Sequence, residues 1–289
     1  MNVSVSNPHG YCTGVIRAIE LVKKAREQHP SGDIFVLGSI VHNEDVIDSL
    51  SDIGIVTVRD SNKTQADLLH SLPDASIVVF TAHGHDRHLD ALAKEKGMII
   101  YDATCPMVED NHRIIQNEIR LNHQVIYIGK RLHPEAIAAL SFSPQVFLLE
   151  RVADFPFGSI IDPSPLVINQ TTLSLAKLHA IHDEILARIP MARIADEICD
   201  ATRLRQKGVT NLPMETELIY VVGGENSSNT QSLFDIAREH FPSAKVMKIL
   251  NELDIDKNDL IGLDHISVVS GASTPLETTN RVVEMLKSI

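Results

Sequence analysis

The chain is expected to fold as α/β, as a trefoil of three pseudo-threefold-related α/β units. Three observations predict this architecture. Apolar, β-branched runs alternate with amphipathic stretches of helical period along all 289 residues, the pattern of largely parallel sheets joined by helical crossovers. Cys12, Cys105 and Cys199 stand 93 and 94 residues apart, which marks an internal repeat. Each cysteine also sits in the same local text: an apolar run (3–6, 98–101, 194–198), the thiol, then a stretch of helical character. The units are expected at 1–96, 97–191 and 192–289, with the C-terminal segment returning to the first. Strands are read at 33–37, 76–80, 124–128, 145–149, 166–169, 217–222, 245–249 and 265–269. The clearest helices are 15–28, 89–96, 112–121, 176–189, 232–240 and 277–289.

Composition bounds the function. With 44% hydrophobic and 22% charged residues the chain is ordinary globular material. A net charge of −12 speaks against a nucleic-acid surface, which needs a basic face. Four per cent aromatic content without tryptophan speaks against base-stacking platforms. No run approaches the roughly 18 apolar residues of a spanning helix, and MNVSVSNPHG lacks the basic flank and apolar segment of a secretory signal. A cytoplasmic protein with no nucleic-acid or membrane partner is expected, its odd, widely spaced cysteines reduced rather than paired.

Two further polar loops recur in each copy. His42, His133 and Ser227 follow the preceding cysteine by 30, 28 and 28 residues; His83, Thr171 and Ser273 follow it by 71, 66 and 74. Each loop lies between a strand and a helix, and ligand groups in α/β sheets gather at the carboxyl ends of strands. Nine such loops around one axis would aim thiols, histidines, hydroxyls and one carboxylate, Glu135, into a common cavity.

A single free cysteine most often packs in a core; three in register with a repeat point to a metal site. Thiolates ligate both zinc and iron–sulfur clusters. Zinc sites with several cysteines usually use close C-x-x-C pairs, absent here, which favours a central iron–sulfur cluster of the [4Fe–4S] type, with the three units packed around it. With only three cysteines, one iron would be left open to a substrate oxygen. The runs 217–241 and 265–286 read as strand, glycine-bearing turn and polar helix start, whose backbone N–H groups and hydroxyls make a ready anion site or, the plainer reading of either loop alone, ordinary helix caps. In the second run Thr274 is the expected N-cap and Pro275 the first helical residue. No P-loop or G-x-G-x-x-G occurs, so a compact phosphate or diphosphate fits better than a nucleotide. His42, His83 and His133 can donate to phosphate oxygens or move protons. Ten others (His29, His70, His85, His88, His112, His123, His179, His182, His240, His265) are read as core or surface residues. Glu135 is a natural proton donor beside a cluster and a bound alcohol, or, more plainly, a first-turn acid favoured by the helix dipole.

Nine ordered motifs carry a resemblance: Asn7-Pro-His-Gly-Tyr-Cys12-Thr-Gly-Val, Ile40-Val-His42-Asn, Thr81-Ala-His83-Gly, Asp102-Ala-Thr-Cys105-Pro, His133-Pro-Glu135, Gln170-Thr171-Thr-Leu-Ser, Asp196-Glu-Ile-Cys199, Gly224-Glu-Asn-Ser227-Ser-Asn229 and Gly271-Ala-Ser273. Together they resemble the IspH (LytB) family of 4-hydroxy-3-methylbut-2-enyl diphosphate reductases. The resemblance implies a [4Fe–4S] cluster on Cys12, Cys105 and Cys199. It also implies reductive dehydroxylation of an allylic alcohol diphosphate to isopentenyl and dimethylallyl diphosphates, the last step of the methylerythritol phosphate route. Glu135, His133 and Thr171 take the catalytic roles, and His42, His83, His133, Thr171, Thr202, Ser227, Ser228, Asn229 and Ser273 the substrate-binding ones. With no flavin or nicotinamide fingerprint, the electron donor is expected to be a small redox protein, of flavodoxin or ferredoxin type. Cys199-Asp-Ala-Thr202-Arg-Leu-Arg-Gln departs from the family's C-Y-A-T-x-x-R-Q, His9 stands where an arginine is common, and Ala136-Ile-Ala-Ala-Leu replaces a glycine-bearing stretch. These departures define the alternative: a divergent paralogue acting as a cluster-dependent dehydratase, or as a non-catalytic iron–sulfur or phosphate sensor.

Overall fold

The computed structural model describes residues 1–195 and 198–289. Its elements fall into three runs of one order. The first is β1 (Asn2–Val5), α1 (Thr13–Gln28), β2 (Ile34–Leu37), α2 (Glu44–Ser51), β3 (Ile55–Val58), α3 (Gln65–Ser71), β4 (Ile77–Phe80) and α4 (His88–Glu95). The second is β5 (Ile99–Asp102), α5 (Pro106–Arg120), β6 (Val125–Ile128), α6 (Pro134–Leu140), β7 (Val146–Leu149), β8 (Leu166–Asn169) and α7 (Leu175–Arg188). The third is β9 (Arg193–Ile194), α8 (Asp200–Thr210), β10 (Leu218–Val222), α9 (Ser228–His240), β11 (Lys245–Ile249), β12 (His265–Ser270) and α10 (Leu276–Lys287). Where the first run has α3, the others have short 3-10 turns.

The strands form three parallel, four-stranded sheets of the same topology: β3-β2-β4-β5, β7-β6-β8-β9 and β11-β10-β12-β1. This is the α/β trefoil expected from the repeat. The fourth strand of each sheet is the one that leads into a cysteine, so every sheet shares a strand with the next run. The pairing of β1 with β12, from Asn2↔His265 to Val5↔Val268, closes the ring.

Parallel sheets covered on both faces need apolar side chains on both, and β4, β6, β8 and β10 are buried throughout. In the first sheet Ile34, Val36, Ile77 and Val79 join one cluster, and Leu37, Val78 and Phe80 the other. That is the period-two alternation of a strand. Val15, Ala18, Val22 and Ala25 recur at helical spacing on α1 and cover the first of these faces. Each fully buried valine or isoleucine there contributes roughly 1.5–3 kcal/mol.

The structure extends several expectations. α5 starts at Pro106, six residues before the expected start, because Pro106 at the first helical position lets the helix begin directly after Cys105. α9 starts at Ser228 rather than 232, capped by Ser227. Periodicity does not reveal β3, an edge strand on which only Ile55 is buried, or α3 and α6, which at seven residues complete fewer than two turns; α2, at eight residues, is also missed. The N-cap of α10 is Pro275, not Thr274, whose hydroxyl instead donates to the Val222 carbonyl at 2.9 Å. Of the expected strand 194–198, Asp196 and Glu197 lie outside the described residues, as does the start of the motif Asp196-Glu-Ile-Cys199. Among the described residues no helix is long and apolar enough to cross a membrane.

Candidate active site

All three cysteines occupy the same position in the fold: Cys12 caps α1, Cys105 caps α5 and Cys199 caps α8, each with extended backbone. The first backbone N–H groups of a helix have no partners within it and carry the positive end of its dipole. Each thiol therefore stands beside the positive end of a helix. The Cys199 sulfur accepts from Thr202 N at 3.4 Å and lies 3.1 Å from Thr202 Oγ1. Burial pushes the Cys105 and Cys199 thiols up; neighbouring charge adds to this, from Cys12 and Cys199 on Cys105 and from Cys12 and Glu135 on Cys199. Three half-buried free thiols thus stand within electrostatic reach of one another.

Gly14, in the first turn of α1, explains how two of them meet. A Cβ there would lie 2.6 Å from Cys105 Sγ and 3.9 Å from Cys12 Sγ. The missing side chain is the space the thiols use. Alanine is favoured over glycine in a helix by about 1 kcal/mol, so Gly14→Ala ought to stabilise the chain if only the helix mattered. We expect the reverse: lower stability on chemical denaturation, with Cys105 displaced. A gain of stability would contradict the contact.

Glu135 lies in the first turn of α6 and is 2% exposed. Thr171 N donates to its Oε2 at 2.9 Å and Thr171 Oγ1 to its Oε1 at 3.0 Å. Burial raises its pKa to about 7, against the lowering effect of the Thr171 bonds. It is thus more than a dipole-favoured acid, since that role needs no burial. His133, the N-cap of α6, accepts from Glu135 N through Nδ1 at 3.2 Å. A backbone N–H can only donate, so the neutral ring carries its proton on Nε2.

The three histidines of the repeated loops come together. His42 and His83 ring centroids are 4.3 Å apart, and His133 lies 5.8 and 5.6 Å from them. Burial holds all three neutral, moving His133 down to about 3 and His83 well below the usual histidine range. His42 Nε2 and His83 Nδ1 have no protein partner. Opposite them, Ser227 Oγ caps α9 by accepting from Thr230 N at 3.2 Å, Ser228 Oγ accepts from Gln170 Nε2 at 3.1 Å, and Asn229 Oδ1 accepts from Ala272 N at 2.9 Å. Asn229 Nδ2 is buried and unpartnered. Ser273 Oγ donates to His42 O at 3.4 Å, drawing the first and third runs together. Gly224 permits the same approach: a Cβ there would fall 2.2 Å from His42 O.

One cavity of about 240 Å³ is lined by Cys12, Cys105, Cys199, His42, His83, His133, Glu135, Thr171, Thr202, Ser227, Ser228, Asn229 and Ser273. Every site residue expected from the sequence is brought to it; Thr202 is set against a thiol. Other residues that shape the cavity escape sequence reasoning. Gly14 has a readable signal, a glycine in a first helical turn with no backbone reason to be there. Gln170 and Gln206 stand in the quoted motifs, but nothing local gives their roles, because their partners lie far along the chain: Gln170 donates to Ser228 and accepts from Lys130 N, and Gln206 donates to Leu173 O and accepts from Leu175 N.

The chain is similar to known proteins over nearly its whole length. It is 38% identical to a 4-hydroxy-3-methylbut-2-enyl diphosphate reductase of Symbiobacterium thermophilum, over 99% of this chain and 97% of that protein. The corresponding protein of Malacoplasma penetrans is 31% identical over the same shares. Among solved structures, the E-1-hydroxy-2-methyl-but-2-enyl-4-diphosphate reductase of Plasmodium falciparum superposes with a TM-score of 0.88 at 29% identity, covering 98% of this chain and 87% of that one. The family described as LytB protein matches residues 3–287, spanning all three cysteines and every loop of the cavity, and the chain belongs to that family.

Proposed function

We infer that this chain is a 4-hydroxy-3-methylbut-2-enyl diphosphate reductase, which removes the substrate's hydroxyl to give isopentenyl and dimethylallyl diphosphates, the last step of the methylerythritol phosphate route to isoprenoids. The observation that carries the reading is Glu135: a buried carboxyl that keeps its proton to about pH 7, in the same cavity as three helix-capping thiols and a set of unpartnered donors. The overall change is R–OH plus two electrons and two protons to R–H plus water. Hydroxide is a poor leaving group, so its oxygen needs a proton.

The chemistry of the thiols fits a cluster. All three line one cavity, and thiolates are the ligands an iron–sulfur cluster takes. Cys12, Cys105 and Cys199 would hold a [4Fe–4S] cluster, which supplies electrons one at a time and leaves one iron, without a cysteine, as a Lewis acid for the hydroxyl oxygen.

The chain's own residues bind, orient and protonate. His42, His83 and His133 as neutral donors, with Ser227, Ser228, Asn229 and Ser273, hold the diphosphate, and fixing that remote end places the alcohol. When Glu135 carries its proton the 3.0 Å bond to Thr171 Oγ1 reverses: Oε1–H donates to Oγ1, the threonine O–H turns to the leaving oxygen, and each proton moves one step along that path. Thr171 N, bonded to Oε2, then stabilises the carboxylate that forms. Thr202 supports the Cys199 sulfur at the wall of the substrate cavity. Electrons come from a flavodoxin- or ferredoxin-type partner, and the reducing cytoplasm suits the three free thiols.

An anaerobic assay of the reconstituted chain tests the reading. With dithionite and a viologen mediator both five-carbon diphosphates should form; without reductant, neither should. Turnover without reductant would identify a dehydratase. Substrate binding without turnover under either condition would identify a sensor.

A further inference from the structure

Histidines and tyrosines aside, the described residues include two buried ionisable side chains, Glu135 and Arg205. Glu135 escapes the cost of burial by keeping its proton. Arg205 cannot, because a guanidinium stays charged at any ordinary pH. It is 3% exposed on α8, and among the described residues no carboxylate pairs with it. An unpaired buried ion costs several kcal/mol even after relaxation.

What Arg205 does touch is informative. Nη2 donates to Gly10 O at 2.6 Å and Nη1 to Ala201 O at 3.1 Å, while Nε is buried without a partner. Gly10 is two residues before Cys12, in left-handed conformation at φ +80°, with its N–H donating to Ser270 Oγ at 3.2 Å. Ala201 is two residues after Cys199. The guanidinium therefore fastens one cysteine loop to the other. Two carbonyl dipoles do not neutralise a full charge. The negative charges that act on Arg205 are those of Cys12 and Cys199, which favour its charged form against burial.

We propose that Arg205 is a positioning residue that raises the reduction potential of the cluster, supplying a fixed buried positive charge beside Cys12 and Cys199 while tying Gly10 to Ala201. The inference rests on the reading of the three thiols as cluster ligands. A [4Fe–4S]²⁺ core with three thiolates carries one net negative charge, and one-electron reduction makes it two. A nearby cation stabilises the second state more than the first. Glu135, holding its proton, does not cancel that effect.

The test is a redox titration of the full, anaerobically reconstituted chain, followed by electron paramagnetic resonance, for the unaltered protein, Arg205→Lys and Arg205→Gln. Lysine keeps the charge and glutamine removes it. The expected result is a lysine variant near the unaltered potential and a glutamine variant whose reduction constant is at least tenfold lower, about 59 mV for one electron. Failure of the glutamine variant alone to hold a cluster also supports a charge role. The proposal is overturned if the two variants behave alike, whether both load at the unaltered potential, both shift equally or neither loads. Failure of the unaltered chain to load a cluster is a different outcome, and it removes the cluster reading itself.

Discussion

Replacing Glu135 with glutamine should lower the turnover number by about 10²–10⁴-fold, the range for removing a general acid, with iron content and substrate affinity unchanged. Glutamine keeps the volume and can still accept from Thr171 N, but it has no acidic proton. The loss should fall on turnover rather than on the Michaelis constant, because the diphosphate end is held by other side chains. The pH dependence follows from the direction of the shift. Burial raises the folded-state pKa of Glu135 to about 7 from 4.5. The carboxyl is therefore protonated below about 7, and the rate should fall as pH rises through that value. Glu135→Gln should lack that limb. The same shift lowers folding stability as pH rises between the two pKa values, because the unfolded carboxyl gives up its proton freely and the folded one does not. Denaturant titrations at pH 5 and 8 check this; stability that increases across that window through this group would contradict the burial argument.

Cys105→Ser should abolish the cluster's charge-transfer absorption and reduce activity by more than about 100-fold, beyond the 10–100-fold cost of losing a group that only orients a metal ligand. Serine matches the shape of cysteine but its hydroxyl stays protonated, so the site at the α5 N-terminus would offer a neutral oxygen in place of a thiolate. The space left by Gly14 would remain. A Cys105→Ser chain with full iron and sulfide content and an unchanged spectrum would remove Cys105 from the ligand set. Far-ultraviolet circular dichroism of the variant separates cluster loss from misfolding, since Cys105 caps α5 with its backbone and not through a side-chain hydrogen bond.

Much of the cavity is legible in the amino-acid sequence because it is written on a repeat. Cys12, Cys105 and Cys199 each follow a strand and open a helix, so their equivalence in space follows from equivalence along the chain. The same reasoning reaches His42, His133 and Ser227, whose loops precede α2, α6 and α9. Short elements escape it. β3 is an edge strand with only Ile55 buried, and α3 completes fewer than two turns, so neither shows a clear period. The exchange of each fourth strand between neighbouring runs is a tertiary choice that no local pattern records. Arg205 matches the arginine of the family pattern C-Y-A-T-x-x-R-Q, but its burial is not legible, because a charged residue on a helix reads as solvent-facing. Only its contacts with Gly10 and Ala201 reveal that α8 carries that charge inward. Thr274 shows the limit of cap rules, since its hydroxyl has a better partner in the Val222 carbonyl than in the helix start.

Three thiols holding four irons, one of them left for the substrate beside Glu135 and Thr171, form the centre of the proposed chemistry. Mössbauer spectroscopy of the chain reconstituted with isotope-enriched iron addresses this directly. It should show one iron distinct from the other three, and adding the substrate should move that iron's isomer shift and leave the others in place. Four irons of one kind, indifferent to substrate, would contradict the three-thiol cluster, as would a colourless protein binding stoichiometric zinc.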